Sequence, residues 1–281
     1  MTQPFWAQPV RGGDIALWVQ GAGSGPPVLF LSGLGYAGWC WQDVIARMSR
    51  TANAFTVDNR GSGRSDKPIG PYSMELMADD TKAVLDGLGI AQAHIVGHSM
   101  GGYIAQHLAI RHPHKVSSLV LIASSCGGPR AINVPASVLA AWQNAAGSTP
   151  EEFARRTMPL SFRPGWTLDH VAAFERYLRA RLEFPTPSGN WYAQFDAAAR
   201  HLLIGVDLRR IPHRTLVLHG TADGIVPYDN AHLFETGLAN CKLHRLDGFG
   251  HLPFLEDCDL FCELLQAHLD EAPEARGSVQ P

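Results

Sequence analysis

The chain has 281 residues, of which 46% are hydrophobic and 17% charged, so it can bury one large core. Its formal charge of −3 leaves no basic stripe to neutralise phosphates, which argues against nucleic acid as a partner. No apolar run approaches the roughly 20 residues that span a bilayer, and the N-terminus lacks a secretory pattern, so we expect a cytoplasmic protein without a membrane partner.

Strand and helix patterns alternate along most of the chain. Short apolar runs between turn residues predict strands at 15–19, 28–31, 54–57, 94–96, 118–122, 215–218 and 242–246. Apolar spacing of three and four residues predicts helices near 41–49, 74–88, 100–111, 230–236 and 258–267. This alternation predicts an α/β fold with a mostly parallel sheet that is covered by helices on both faces.

The alternation stops between residues 126 and 213, where helical patterns follow one another without a strand. They lie at 135–146, 151–157, 168–183 and 190–203. We therefore predict a core made of 1–126 and 213–281, with a helical cap at 127–212 inserted before the last two strands. Six cap arginines either attract an anionic substrate or form an ordinary solvated surface: Arg155, Arg156, Arg163, Arg176, Arg179 and Arg181.

The C-terminal segment and the cysteines offer no candidate functional site. The polar segment after Asp270 is predicted to be frayed. Five cysteines are an odd number without a C-x-x-C pair, which indicates neither a disulfide framework nor a zinc site.

A glycine-bearing loop follows the strand at 28–31, with the sequence Leu31-Ser-Gly-Leu-Gly35. Its glycines let the backbone approach a ligand. The same segment matches G-x-G-x-x-G from Gly33 to Gly38, with Asp58 about 20 residues later, as in a dinucleotide-binding fold. That alternative leaves three further motifs unexplained.

The first of these motifs is a G-x-S-x-G turn between a predicted strand and a predicted helix. Gly97 and Gly101 flank Ser99, where a Cβ would collide with the tight backbone of a nucleophile elbow. The serine then lies at a helix N-terminus, where free N–H groups favour a developing negative charge. Ser99 is therefore the candidate nucleophile.

Two further motifs supply an acid and a base. Asp223 follows the strand at 215–218, at the sheet edge where α/β proteins bind ligands, although a plain turn would also use an aspartate. His251 lies between glycine and Leu-Pro after the last strand. Five other histidines are predicted to be structural: His94, His98, His112, His114 and His219. The order Ser, Asp, His is complete, and Asp247 is the next candidate acid.

These residue types suit acyl transfer. A serine hydroxyl is a poor nucleophile until a neutral imidazole accepts its proton, and a buried carboxylate orients that imidazole. We expect the main-chain N–H groups of Leu34 and Met100 to form the oxyanion hole.

Taken together with the segment 57–68, these motifs resemble the α/β-hydrolase superfamily over nearly the whole chain. The Ser-Met-Gly-Gly elbow and the Gly-His-Leu-Pro-x-x-Glu segment are similar to those of 3-oxoadipate enol-lactonases, cofactor-free haloperoxidase-like esterases and carbon–carbon bond hydrolases. The resemblance implies a helical cap over the triad and no cofactor. Most relatives carry His-Gly in the oxyanion loop where this chain has Ser32-Gly33, which leaves the role of Ser32 open.

The sequence therefore predicts a serine hydrolase that cleaves a small carboxylic ester or lactone through an acyl-enzyme. Carbon–carbon or amide bond hydrolysis and a triad-bearing small-molecule receptor are the alternatives, because fold alone never fixes function. Five tryptophans could line an apolar pocket or pack in the core: Trp39, Trp41, Trp142, Trp166 and Trp191. Neither the substrate nor the oligomeric state follows from the sequence.

Overall fold

An eight-stranded sheet runs through the computed structural model, which describes residues 5–271. Its strand order is β1-β2-β4-β3-β5-β6-β7-β8, with β1 and β2 antiparallel to their neighbours and all other pairs parallel. The strands are β1 (Trp6–Gly12), β2 (Ile15–Ala22), β3 (Pro27–Leu31), β4 (Asn53–Val57), β5 (Ala93–His98), β6 (Val116–Ile122), β7 (Thr215–Gly220) and β8 (Cys241–Leu246).

Eleven α-helices accompany the sheet within the described residues. They are α1 (Gln42–Met48), α2 (Met74–Gly87), α3 (Met100–Arg111), α4 (Ala136–Ala145), α5 (Pro150–Thr157), α6 (Trp166–Asp169), α7 (Val171–Glu183), α8 (Ser188–Ile204), α9 (Ala231–Gly237), α10 (Pro253–Glu256) and α11 (Cys258–Asp270). None of them is long and apolar enough to cross a membrane.

The predicted fold class is confirmed, and the sequence missed one strand. Each of the seven predicted strands and each predicted helix is present within a few residues of its expected bounds, except that the pattern at 168–183 is divided into α6 and α7 at His170. The additional strand is β1, an edge strand whose residues are mostly exposed. The prediction of a frayed tail concerns residues 271–281, of which all but Glu271 lie outside the described part of the chain.

Two apolar layers enclose the sheet. On one face, Leu29, Ile95 and Leu119 of the central strands pack against α2 and α3. On the other face, Phe30 and Val120 pack with Trp41 and with residues of α11. The central strands are therefore buried on both sides, as expected for parallel strands that read as continuous apolar runs.

Helices α4 to α8 follow one another between β6 and β7, and residues 127–212 contain no strand. They pack over the edge of the sheet where the parallel strands end, and Val138 contacts Ile225 and Val226 of the loop after β7. We propose that residues 127–212 form a cap on a core of 1–126 and 213–281. The loops after β3, β5, β7 and β8 meet at this edge.

Candidate active site

Ser99 occupies a sharp turn between β5 and α3. Its backbone has φ 53° and ψ −118°, a region that residues other than glycine rarely adopt. The flanking glycines are required by space, because a Cβ on Gly97 would meet the Gly101 carbonyl, and a Cβ on Gly101 would meet the Leu31 carbonyl. The turn places Ser99 at the positive end of α3.

Asp223 lies in the loop after β7, with its side chain fully buried. Oδ1 accepts hydrogen bonds from the N–H groups of Ile225 (2.8 Å) and Val226 (2.9 Å). Oδ2 lies 2.8 Å from His251 Nδ1 and 3.2 Å from His219 Nε2. Burial opposes ionisation, yet the two imidazoles lower the pKa of Asp223 below its ordinary value. The side chain is therefore a carboxylate in a fixed orientation.

His251 lies in the loop after β8 and is 5% exposed. Because Nδ1 faces Asp223, Nε2 is the nitrogen available for proton transfer. His98 Nε2 donates to the His251 carbonyl at 2.9 Å, and the two rings meet edge to face with centroids 4.7 Å apart. Burial, assisted by the nearby His251, lowers the pKa of His98 well below its ordinary value. His98 is thus a neutral donor that supports the loop carrying His251.

The loop after β3 carries Leu34, one of the two expected oxyanion donors. The next N–H, of Gly35, donates to Gln194 Oε1 at 3.1 Å, and Gln194 Nε2 donates to the Arg60 carbonyl at 2.9 Å. Gln194 belongs to α8, so a cap helix holds this loop in place. Met100, the other expected donor, is the first residue of α3, a position whose N–H has no partner within the helix.

Ser32 makes contacts that explain its place in the oxyanion loop. Trp41 Nε1 donates to Ser32 Oγ at 3.1 Å, and Asn59 Nδ2 donates to the Ser32 carbonyl at 3.0 Å. The residue is completely buried. Its hydroxyl therefore anchors the loop to the core.

A cavity of about 380 Å³ lies between the sheet edge and the cap, and Ser99 and His251 line it. One wall is aromatic: the Trp191 ring stacks on Phe195 with centroids 5.4 Å apart and meets Trp142 edge to face at 5.9 Å. Trp142 and Trp191 thus line the cavity. The other three candidate tryptophans are buried in the core: Trp39, Trp41 and Trp166.

The cap arginines differ in their contacts. Three of them pair with carboxylates: Arg155 with Glu175, Arg163 with Glu256, and Arg176 with Asp43. Arg181 lines the cavity instead, with its guanidinium carbon 5.0 Å from the centre of the Tyr36 ring. Within residues 5–271, Arg181 forms no ion pair with a carboxylate. The cavity wall therefore carries an uncompensated positive charge.

The dinucleotide alternative does not fit the surroundings of Asp58. Its Oδ1 accepts from the Gly38 N–H at 2.6 Å and its Oδ2 from the Arg64 N–H at 2.8 Å, so both oxygens are engaged within the chain. Gly38 begins only a single turn of 3₁₀ helix. Asp247, the other candidate acid, is exposed and pairs with Arg245.

Sequence reasoning missed four residues that support the site. It assigned His98 and His219 to structure alone, although they contact His251 and Asp223. His219 lies at the end of β7 and Asp223 in the loop that follows, and this closeness in sequence could have indicated the contact. No local sequence pattern marked Gln194 as part of the site. Glu256 was identified only as the last residue of the Gly-His-Leu-Pro-x-x-Glu segment, without a role. In the described part of the chain, no group of three or more His, Cys, Asp or Glu side chains could hold a metal ion.

Comparison with known proteins gives consistent results. A family model described as alpha/beta hydrolase fold matches residues 26–257. The chain is 28% identical to the putative carbamate hydrolase RutD of Azorhizobium caulinodans, over 91% of this chain and 95% of that protein. It is 31% identical to a 2-hydroxymuconate semialdehyde hydrolase of Pseudomonas putida, over 80% of both chains. Est816, described as an N-acyl homoserine lactone degrading enzyme, has a structure similar at TM-score 0.77 and 26% identity, covering 92% of this chain and 99% of that one.

Proposed function

This chain belongs to the alpha/beta hydrolase fold family, and on that premise we propose that it is a serine hydrolase that cleaves a small carboxylic ester or lactone. The observation that carries the proposal is the hydrogen bond between His251 Nδ1 and Asp223 Oδ2, made at the wall of the cavity that Ser99 also lines. Nucleophile, base and orienting acid thus come from three separate loops of one sheet edge.

In the first step the Ser99 hydroxyl attacks the carbonyl carbon while His251 Nε2 accepts its proton. In ligand-free structures such nucleophile–base contacts are often long and tighten when substrate binds. Asp223 stabilises the imidazolium that forms and keeps the ring in the tautomer with a proton on Nδ1. The negative charge that develops on the carbonyl oxygen is held by the N–H groups of Leu34 and Met100.

In the second step the tetrahedral intermediate collapses, the His251 imidazolium gives its proton to the leaving alcohol oxygen, and an acyl-enzyme remains on Ser99. Water, deprotonated by His251, then cleaves the acyl-enzyme and restores the hydroxyl. A lactone follows the same course, except that the alcohol stays attached to the acyl group. The cavity suits a small, largely apolar substrate, because aromatic and aliphatic side chains form most of its wall.

Carbon–carbon bond hydrolysis is the second candidate. The specific observation in its favour is the aromatic wall of Trp142, Trp191 and Phe195, together with the 31% identity to the 2-hydroxymuconate semialdehyde hydrolase of Pseudomonas putida. An activity panel of p-nitrophenyl esters, lactones and vinylogous diketones separates the two reactions, because only the last class breaks a carbon–carbon bond.

Labelling with a fluorophosphonate tests the nucleophile. A serine activated by a base and facing an oxyanion hole attacks electrophilic phosphorus, and ordinary serines do not. We expect one stoichiometric adduct on the peptide that contains Ser99, together with multiple turnover of p-nitrophenyl butyrate. Ser99→Ala should abolish both, and Asp223→Asn should lower kcat by up to about 10⁴-fold because the amide favours the wrong imidazole tautomer.

His251→Ala should slow labelling greatly, since the hydroxyl loses its proton acceptor. His232→Ala is the matched control, because His232 is exposed and contacts only surface groups of α9 and its neighbours. Labelling without multiple turnover would favour a small-molecule receptor. A wild-type protein that does not label would refute the assignment of Ser99.

A further inference from the structure

The loop that carries His251 lies directly against the cap. Gly250, the residue before His251, has no room for a side chain: a Cβ there would meet the Arg163 nitrogen, would lie 2.6 Å from the Phe162 carbonyl carbon and would lie 2.7 Å from Glu256 Oε1. Arg163 and Phe162 belong to the cap, between α5 and α6. Two segments far apart in sequence thus touch through their main chains beside the candidate base.

Glu256 joins these two segments. Its Oε1 accepts hydrogen bonds from the N–H groups of Arg163 (2.7 Å) and Gly250 (3.1 Å), and Oε2 lies 3.4 Å from Arg163 Nη1. The side chain is completely buried, with an exposed fraction of 0%. Burial raises the pKa of Glu256, and the N–H groups of Arg163 and Gly250 oppose that effect. The carboxylate therefore depends on these bonds for its charge.

The His251 ring has few ways to move independently of these contacts. Asp223 holds Nδ1, and His98 holds the His251 carbonyl. Glu256 fixes the preceding N–H, at Gly250. Of these three supports, Glu256 alone also hydrogen-bonds to the cap within the described residues.

We propose that Glu256 is a positioning residue that couples the docking of the cap to the placement of His251. This inference rests on the proposed function, because it concerns the base of that site. When the cap segment at Arg163 is seated, Glu256 holds the N–H of Gly250 and the imidazole faces the cavity. When the segment moves away, the loop is no longer held by Glu256, and the His251 imidazole is no longer positioned to accept the proton of Ser99.

The test compares substitutions at Glu256 by the split between kcat and KM. Glu256→Leu removes both main-chain hydrogen bonds, and a displacement of about 1 Å at a reacting group can cost on the order of 100-fold. We expect kcat for p-nitrophenyl butyrate to fall about 10- to 100-fold with KM changed less than about threefold. The rate of fluorophosphonate labelling at Ser99 should fall in proportion.

Glu256→Gln provides the rescue. An amide oxygen in the place of Oε1 still accepts from both N–H groups, so kcat should stay within about threefold of wild type. Glu256→Asp keeps the charge but is one methylene too short to reach both segments, and it should reproduce the kcat loss even if the leucine variant does not fold. Asp257→Ala, at the adjacent residue, is the matched control. It removes the hydrogen bond that Asp257 Oδ1 accepts from the Leu260 N–H at the start of α11, so Tm should fall while kcat stays unchanged.

Folded Glu256→Leu and Glu256→Asp variants with wild-type kcat would overturn the proposal. A kcat loss in Glu256→Gln equal to that in Glu256→Leu would also overturn it, because the main-chain bonds would then not matter. Wild-type protein that neither turns over substrate nor labels would overturn the proposed function as well. Labelled wild type with an equally reactive Glu256→Leu variant would overturn this inference alone.

Discussion

At the scale of single residues, three histidines of the site differ only in what they touch. His98 donates to a main-chain carbonyl, and His219 shares the Asp223 carboxylate while lying 2.9 Å from the Val226 carbonyl. Of the three, His251 alone both lines the cavity and has its Nδ1 on Asp223. The same side chain is a support in two places and a candidate base in the third, because its hydrogen-bond partners decide its role.

Arg181 leads to a prediction about substrate charge. Its guanidinium lies over Tyr36, beside the oxyanion loop, and forms no ion pair in the described chain. A carboxylate on the acyl group could pair with it in a cavity where water is partly excluded. Arg181→Met should therefore lower kcat/KM for p-nitrophenyl half-esters of short dicarboxylic acids by about 10-fold or more. It should change kcat/KM little for the same p-nitrophenyl esters when their free carboxylate is methylated and thus neutral.

Arg179→Met is the control for this prediction, since Arg179 is an exposed arginine of the same helix, α7. An equal loss for charged and neutral esters in Arg181→Met would show that Arg181 packs the cavity rather than binding an anion.

At the scale of elements, the cap joins the core through glycines that face each other. The N–H of Val206 donates to the Cys126 carbonyl at 3.0 Å, and the N–H of Gly128 donates to the Leu202 carbonyl at 2.8 Å. Gly205, the residue directly after α8, has φ 74° and ψ 179°, a conformation that only glycine adopts readily. Both connections of the cap thus run side by side at one point.

Gly205→Ala should loosen this junction. The added Cβ would lie 2.7 Å from the Gly128 nitrogen and would force a strained backbone, which costs about 1–3 kcal/mol. We expect the free energy of unfolding in urea to fall by that amount, and KM to rise because the cap no longer seats over the cavity. Gly189→Ala, in open space within α8, should leave stability equal or up to about 1 kcal/mol higher. Matching effects in the two variants would contradict the junction argument.

At the scale of the whole molecule, buried histidines tie stability to pH. His201 of α8 contacts the Ser125 carbonyl at 3.2 Å and stacks on Tyr103 at 4.3 Å. Burial lowers the pKa of His201 to about 4. Burial also lowers the pKa of His268 to about 4. Both histidines therefore stay neutral in the fold at a pH where the unfolded chain binds protons.

The sign of the effect follows from proton binding. Between pH 6.5 and 4 the unfolded state binds the proton and the folded state does not, so stability falls as the pH falls through this window. For His201 we expect a loss of roughly 3 kcal/mol in the free energy of unfolding, measured in urea from pH 7.5 to 4.5. His201→Gln should flatten the dependence. An unchanged slope in that variant would exclude His201 as its source.

The sequence by itself determined the parts that depend on local spacing. Short apolar runs between turn residues predicted seven of the eight strands, and the central parallel strands read as such runs because both of their faces are buried. The glycines at 97 and 101 indicated the elbow, because a tight turn excludes a Cβ at those offsets. The sequence did not predict β1, because the residues of this edge strand are mostly exposed and form no apolar run.

Only the tertiary structure decided which distant groups meet. Gln194 holds a loop 159 residues away, and Glu256 reaches Arg163 across 93 residues. Likewise, nothing in the local sequence of Arg181 distinguishes it from the cap arginines that pair with carboxylates, yet Arg181 lines the cavity. Local periodicity reports which face of an element is buried, but the partner of a polar side chain depends on how elements pack. Such contacts are therefore set by the assembled fold.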